Sequence, residues 1–100
     1  MAKQIIWSLR AQTDKESILD YWTNRNKSNN YSKRLNQIFK ESISIIAEHP
    51  KLGRPTEFEF VRIKVVRDYL IVYEESKSHI AILAIWDNRQ NPNELRKRLI

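Results

Sequence analysis

The sequence predicts an α+β fold. Two helices near the N-terminus pack on a twisted, mainly antiparallel sheet in the order β-α-α-β-β-β, and a short C-terminal helix follows. Three observations predict it. Between residues 13 and 48 the apolar positions recur every three to four residues, the period of a helix buried on one side. From residue 61 to 86 they alternate or run together, as strands do. Turn-forming residues fall between these runs. With 100 residues, 41% of them hydrophobic, the chain has the size of one domain, expected over residues 1–100.

The first strand is expected over Gln4 to Arg10, with Ile5, Trp7 and Leu9 on one face. Thr13-Asp14-Lys15-Glu16 reads as a capping box, in which the Thr13 hydroxyl accepts from the Glu16 amide and the Glu16 carboxylate reaches back. Ile18, Leu19, Tyr21 and Trp22 form the stripe of that helix. Asn24–Asn30 ends it, because Asn and Ser side chains compete there for the backbone. A longer helix is expected from Tyr31 to Glu48, on the spacing of Leu35, Ile38, Phe39, Ser42, Ile45 and Ile46. Pro50 stops it, since the residue before a proline avoids the α region.

Pro50-Lys51-Leu52-Gly53-Arg54-Pro55 is a loop, and its Gly53, the one glycine of the chain, suggests a backbone shape that other residues dislike. Val61, Ile63 and Val65 then share one face of a strand, and Arg62 and Lys64 the other. Arg67-Asp68 connects it to a strand over Tyr69 to Glu75. A nearly all-apolar strand follows over His79 to Trp86, as expected of a sheet centre covered on both faces. Asn91-Pro92-Asn93-Glu94 opens the last helix: a cap, a proline in the first turn and an acidic residue near the positive end of the dipole. The helix pair is expected to cover the face carrying Val61, Ile63, Val65, Leu70 and Val72.

Composition narrows the chemistry. The chain has no cysteine, so it holds no disulfide and no thiolate metal site, and its two histidines are too few for a histidine-based one. No cofactor is expected. No apolar run approaches the ~20 residues of a membrane span, and residues 1–10 lack the pattern of a secretory leader. A cytoplasmic location, away from membranes, is therefore expected. Lys and Arg number 18 against 12 Asp and Glu, a net charge of +6, which favours a polyanionic or acidic partner.

If Arg67-Asp68 is a two-residue turn, Val66 faces Tyr69, Lys64 faces Ile71 and Arg62 faces Tyr73. Facing side chains lie ~5 Å apart. Arg62, Lys64 and Tyr73 would then cluster on the sheet face away from the helices, with Arg89 nearby. Such a set can grip a phosphate backbone, and it can stabilise the charge that develops when a 2′-hydroxyl attacks the adjacent phosphate. Tyr73 or Lys64 would supply the acid or base. Lys51, Arg54 and Arg67 are the further candidate nucleic-acid contacts. The other reading is a solvated sheet face with Tyr73 simply packed.

Several segments carry a family resemblance: Trp7 in the first strand, the helical hairpin, His49-Pro50-Lys51-Leu52-Gly53-Arg54-Pro55, Val61-Arg62, Tyr69-Leu70-Ile71-Val72-Tyr73 and Ile82-Leu83-Ala84-Ile85-Trp86-Asp87-Asn88-Arg89. Taken together, the chain resembles the RelE/ParE superfamily of toxins from bacterial type II toxin–antitoxin pairs. The resemblance implies a compact toxin neutralised by a cognate, acidic antitoxin that links it to operator DNA. It implies one of two targets. RelE-like members cut mRNA on the ribosome, and ParE-like members poison DNA gyrase. Arg62 and Lys64 match basic positions of the RelE type, and Arg89 matches an arginine after the last strand. Leu70 stands where RelE has another arginine. Asn91-Pro92-Asn93 offers no counterpart to the C-terminal tyrosine or histidine of many nuclease sites. These departures lean toward the ParE-like activity. A degenerate, non-catalytic module that binds only antitoxin and nucleic acid is the alternative.

Overall fold

The computed structural model describes residues 2–99; Met1 and Ile100, the ends of the expected 1–100 domain, lie outside the described residues. The elements are β1 (Gln4–Trp7), α1 (Leu9–Asn26), α2 (Asn30–Glu48), β2 (Arg54–Pro55), β3 (Val61–Val66), β4 (Tyr69–Glu75), β5 (His79–Asp87) and α3 (Pro92–Leu99). The five strands form one sheet in the order β1-β5-β4-β3-β2. β1 runs parallel to β5, as the long crossover through two helices allows, and every other pair is antiparallel. Among the described residues, no helix is long and apolar enough to cross a membrane.

The first strand is shorter than its alternation suggested. The chain leaves β1 at Trp7, and Ser8, in extended conformation, caps α1 by accepting from the Ala11 amide at 3.0 Å. Thr13 therefore lies inside the helix, donating to the Leu9 carbonyl, and the expected capping box does not form. Asp14 works elsewhere: it accepts from the Ile85 amide, on the stretch of β5 that extends past the end of β1.

The helix pair is joined by Ser32, whose buried hydroxyl donates to the Leu19 carbonyl at 2.8 Å and meets the Thr23 hydroxyl at 2.6 Å. The buried stripe of α2 is Ser32, Leu35, Phe39, Ile43 and Ile46. Ile45, expected inside, is 50% exposed.

The β3–β4 hairpin has the expected register, with Arg62 opposite Tyr73, Lys64 opposite Ile71 and Val66 opposite Tyr69. Arg67 makes the turn with a left-handed φ of 57°. The side on which the helices lie is the reverse of expectation. Phe39, Ile43 and Ile46 pack with Val66, Tyr69, Ile71 and Tyr73. Val61, Ile63, Leu70 and Val72 face the other way, where Leu95 and Leu99 of α3 join Trp86 over them. A bulge at Leu83 shifts the β4–β5 register, so that Val72 faces Ala84 and Tyr73 faces Ile82. Two ion pairs hold α3 in place: Arg98 to Asp14 at 2.9 Å and Arg96 to Glu57.

Candidate functional site

Tyr73 is fully buried. Its hydroxyl donates to the Pro50 carbonyl and accepts from the Gly53 amide, each at 2.8 Å, so the ring pins the loop after α2 to the middle of the sheet. Burial pushes its pKa above the ordinary 10.0, and the Gly53 hydrogen bond offsets part of that. The expected acid or base thus points into the core, neutral, with both hydrogen-bonding capacities used within the chain. Gly53 owes its identity to the same contact. Its φ is not positive, contrary to the expectation of an unusual backbone; a Cβ there would stand 2.6 Å from the Tyr73 hydroxyl oxygen.

Arg62 leans over the same loop. One guanidinium nitrogen donates to the Gly53 carbonyl at 2.7 Å and to the Lys51 carbonyl at 3.4 Å. These carbonyls engage one of its nitrogens and leave its charge unneutralised. Lys51 is itself exposed and pairs with Glu75 at 2.7 Å, while Lys3 holds the other oxygen of that carboxylate at 2.8 Å. Lys3 and Lys51 together hold the Glu75 carboxyl below its usual range. Arg54 lies exposed on the two-residue edge strand β2, whose Pro55 faces Arg62. Lys64 is half-buried, two residues along β3 on the helix side of the sheet.

Arg89 is not beside this group. It follows β5 at the other end of the sheet, where Asp87 faces Tyr69. Four residues of β4 separate that pairing from the Arg62–Tyr73 pairing, about 13 Å at ~3.3 Å per residue. Arg89 forks the Asp87 carboxylate, with contacts of 3.0 and 2.8 Å, which depresses the Asp87 carboxyl and raises the arginine. Arg67, in the β3–β4 turn, is exposed at this same end, tied to it by the Asn88 amide donating to the Asp68 carbonyl at 2.8 Å. A groove of about 410 Å³ opens here, lined by Asp14, Ile18, Tyr21, Tyr69, Asp87 and Arg89 among others. Tyr69 is no free acid either: it is buried, its hydroxyl accepts from the Trp22 indole at 2.8 Å, and burial raises it.

The expected constellation therefore divides. Lys51, Arg54, Arg62 and Tyr73 gather at the loop end of the sheet, Arg67 and Arg89 gather at the turn end, and Lys64 lies between. The pairing of Arg62 with Tyr73 holds. Their placement on a face away from the helices, and beside Arg89, is corrected. The alternation that set the cluster could not show that both faces of β4 are buried, nor that the loop returns to occupy the Arg62 and Tyr73 donors. Asp14 and Phe60 were missed. Asp14 carried a signal, a carboxylate in the early turns of a helix with no partner in its own capping pattern. Phe60 carried none.

The comparisons with known proteins agree with this architecture. The family model described as the ParE toxin of the type II toxin–antitoxin system parDE matches residues 5–92. A solved structure described as a chromosomal ParDE toxin–antitoxin system from P. aeruginosa superposes with a TM-score of 0.74 at 19% identity. The match covers 86% of this chain and 96% of that one, and it shows the fold. No curated protein matches the sequence.

Proposed function

Because the chain belongs to the ParE toxin family of type II toxin–antitoxin systems, and so has an antitoxin as its partner, we propose that it arrests growth by docking on DNA gyrase, not by cutting mRNA. The observation that carries this reading is the inward Tyr73 hydroxyl, held by Pro50 and Gly53. Phosphodiester cleavage by 2′-hydroxyl attack needs a proton acceptor and a donor beside the phosphate, with cations around it. Here Arg62 is turned to loop carbonyls, Arg89 is forked by Asp87, and the two lie at opposite ends of the sheet. A dispersed set of cations on a small, strongly basic protein suits docking on an extended acidic or DNA-laden surface better than a single reaction centre.

The test pairs a gyrase assay of the purified toxin with mapping of messages in cells that express it. Gyrase supercoiling is expected to fall, with cleaved gyrase–DNA complexes accumulating, while messages from cells expressing the toxin keep their 5′ ends. New 5′ ends at codon positions with gyrase unaffected would overturn the proposal in favour of ribosome-dependent cleavage. No effect in either assay would overturn it in favour of a binding module without toxicity.

A further inference from the structure

Three described non-glycine residues have left-handed φ. Lys27 caps α1 and Arg67 makes the hairpin turn. The third, Phe60, has φ of 66° and is 62% exposed. A bulky aromatic residue in that region is disfavoured against Asn or Gly, which adopt it readily. The turn around it is braced. The Thr56 hydroxyl accepts from the Phe58 amide at 3.1 Å and donates to the Val61 carbonyl at 2.9 Å, and the Phe60 carbonyl accepts from the Glu75 amide at 2.9 Å. The backbone is thus fixed in a shape that suits another residue, and the ring it carries packs little within the chain.

The surroundings identify what the ring contacts. Phe60 stands between two adjoining grooves. One is lined by Lys3, Lys51, Glu74, Glu75 and Lys77, and the other by residues that include Phe58, Glu59 and Arg62. Cations and carboxylates intermingle around Phe60, and an apolar centre with a rim of both charges is the anatomy of a protein contact. Lys3 and Lys51 share the single Glu75 carboxylate, which leaves surplus positive charge at the foot of the ring. We propose that Phe60 is the aromatic anchor of the antitoxin interface, taking an apolar side chain of an antitoxin segment on its ring while a carboxylate of that segment reaches the Lys3–Lys51 pair. Family membership supplies the partner, and the charge of +6 supplies the complementarity for an acidic one. The proposal stands independently of whether gyrase or mRNA is the target.

The experiment compares wild type with Phe60→Asn, Phe60→Gly and Phe60→Trp. It uses thermal melts and calorimetric titration with the cognate antitoxin. Phe60→Asn is expected to melt at or above the wild-type temperature and to bind antitoxin about tenfold more weakly or worse. Phe60→Trp is expected to bind within a few-fold of wild type. Binding should weaken with salt in the wild type and less steeply in Lys51→Ala, which has lost one of the charges that hold the carboxylate. An equal slope in the two would remove the Lys3–Lys51 pair from the interface. A Phe60→Asn protein that melts clearly lower would overturn the proposal, because the ring would then be packing within the fold. Unchanged antitoxin affinity would overturn it too. So would loss of growth arrest or of oligonucleotide binding with antitoxin affinity intact, which would assign the ring to the target or to nucleic acid.

Discussion

Tyr73 shows how one side chain decides what its neighbours can be. Its hydroxyl fills the space where a Gly53 side chain would stand, and its two hydrogen bonds satisfy a buried amide and a loop carbonyl. Loss of the hydroxyl leaves those groups unpaired, a cost of about 1–3 kcal/mol. The same burial makes the residue a source of alkaline sensitivity. Tyr73 and Tyr69 are both raised above 10.0 by desolvation, so the folded state holds these protons more tightly than the unfolded chain. Their stabilisation is complete below the unfolded value near pH 10 and declines as pH rises from there through the folded values. Urea unfolding of wild type and Tyr73→Phe at neutral pH and above pH 10 checks this. The variant is expected to be less stable at neutral pH and to lose less stability on the alkaline side. Parallel declines in the two proteins would remove Tyr73 from the account.

At the scale of elements, the sequence was legible where one periodicity met one environment. The β3–β4 register followed from alternation and a two-residue connection, and both helices were marked by their spacing and by Pro50. Sidedness was not legible, because Tyr69, Leu70, Ile71, Val72 and Tyr73 are all buried and a strand apolar on both faces does not say which face the helices take. β2, two residues long, has no period to read. The basic positions of the candidate site were visible as residues, but their partners depended on where a loop and a helix return, which no local pattern encodes. The α3 helix is the clearest such case. Arg98 reaches Asp14 and lies 5.3 Å from the centre of the Trp86 ring, so α3 is fastened to α1 across the end of β5. Both members of the pair are largely buried, at 16% and 18% exposure. Arg98→Ala is expected to cost about 1.5–3 kcal/mol, the range of a charge-assisted hydrogen bond. Asp14→Ala should cost more, because it also leaves the Ile85 amide without an acceptor. Chemical unfolding of the two single variants and the double variant checks the order, and strict additivity would show that the pair does not couple.

For the whole molecule, the question is whether its cations act as one site or as a dispersed field. A catalytic set behaves as a unit: removing any member abolishes most of the rate, and removing a second changes little. Charges that steer and hold a docked partner act separately, each contributing to association in proportion to its own contacts, and changes at well-separated positions add. Arg62 and Arg89 lie at opposite ends of the sheet, about 13 Å or more apart along the strands. Alanine substitutions at Arg62, Lys64 and Arg89, singly and together, are therefore expected to weaken toxicity by a few-fold each. Their logarithms should sum in the triple variant, and each loss should shrink as salt is raised. Toxin titrations against gyrase at two salt concentrations provide the numbers. Abolition by any one substitution, with the others adding nothing and salt without effect, would mean that the two ends of the sheet converge on a single reaction centre once the target is bound. The docking reading would then fall.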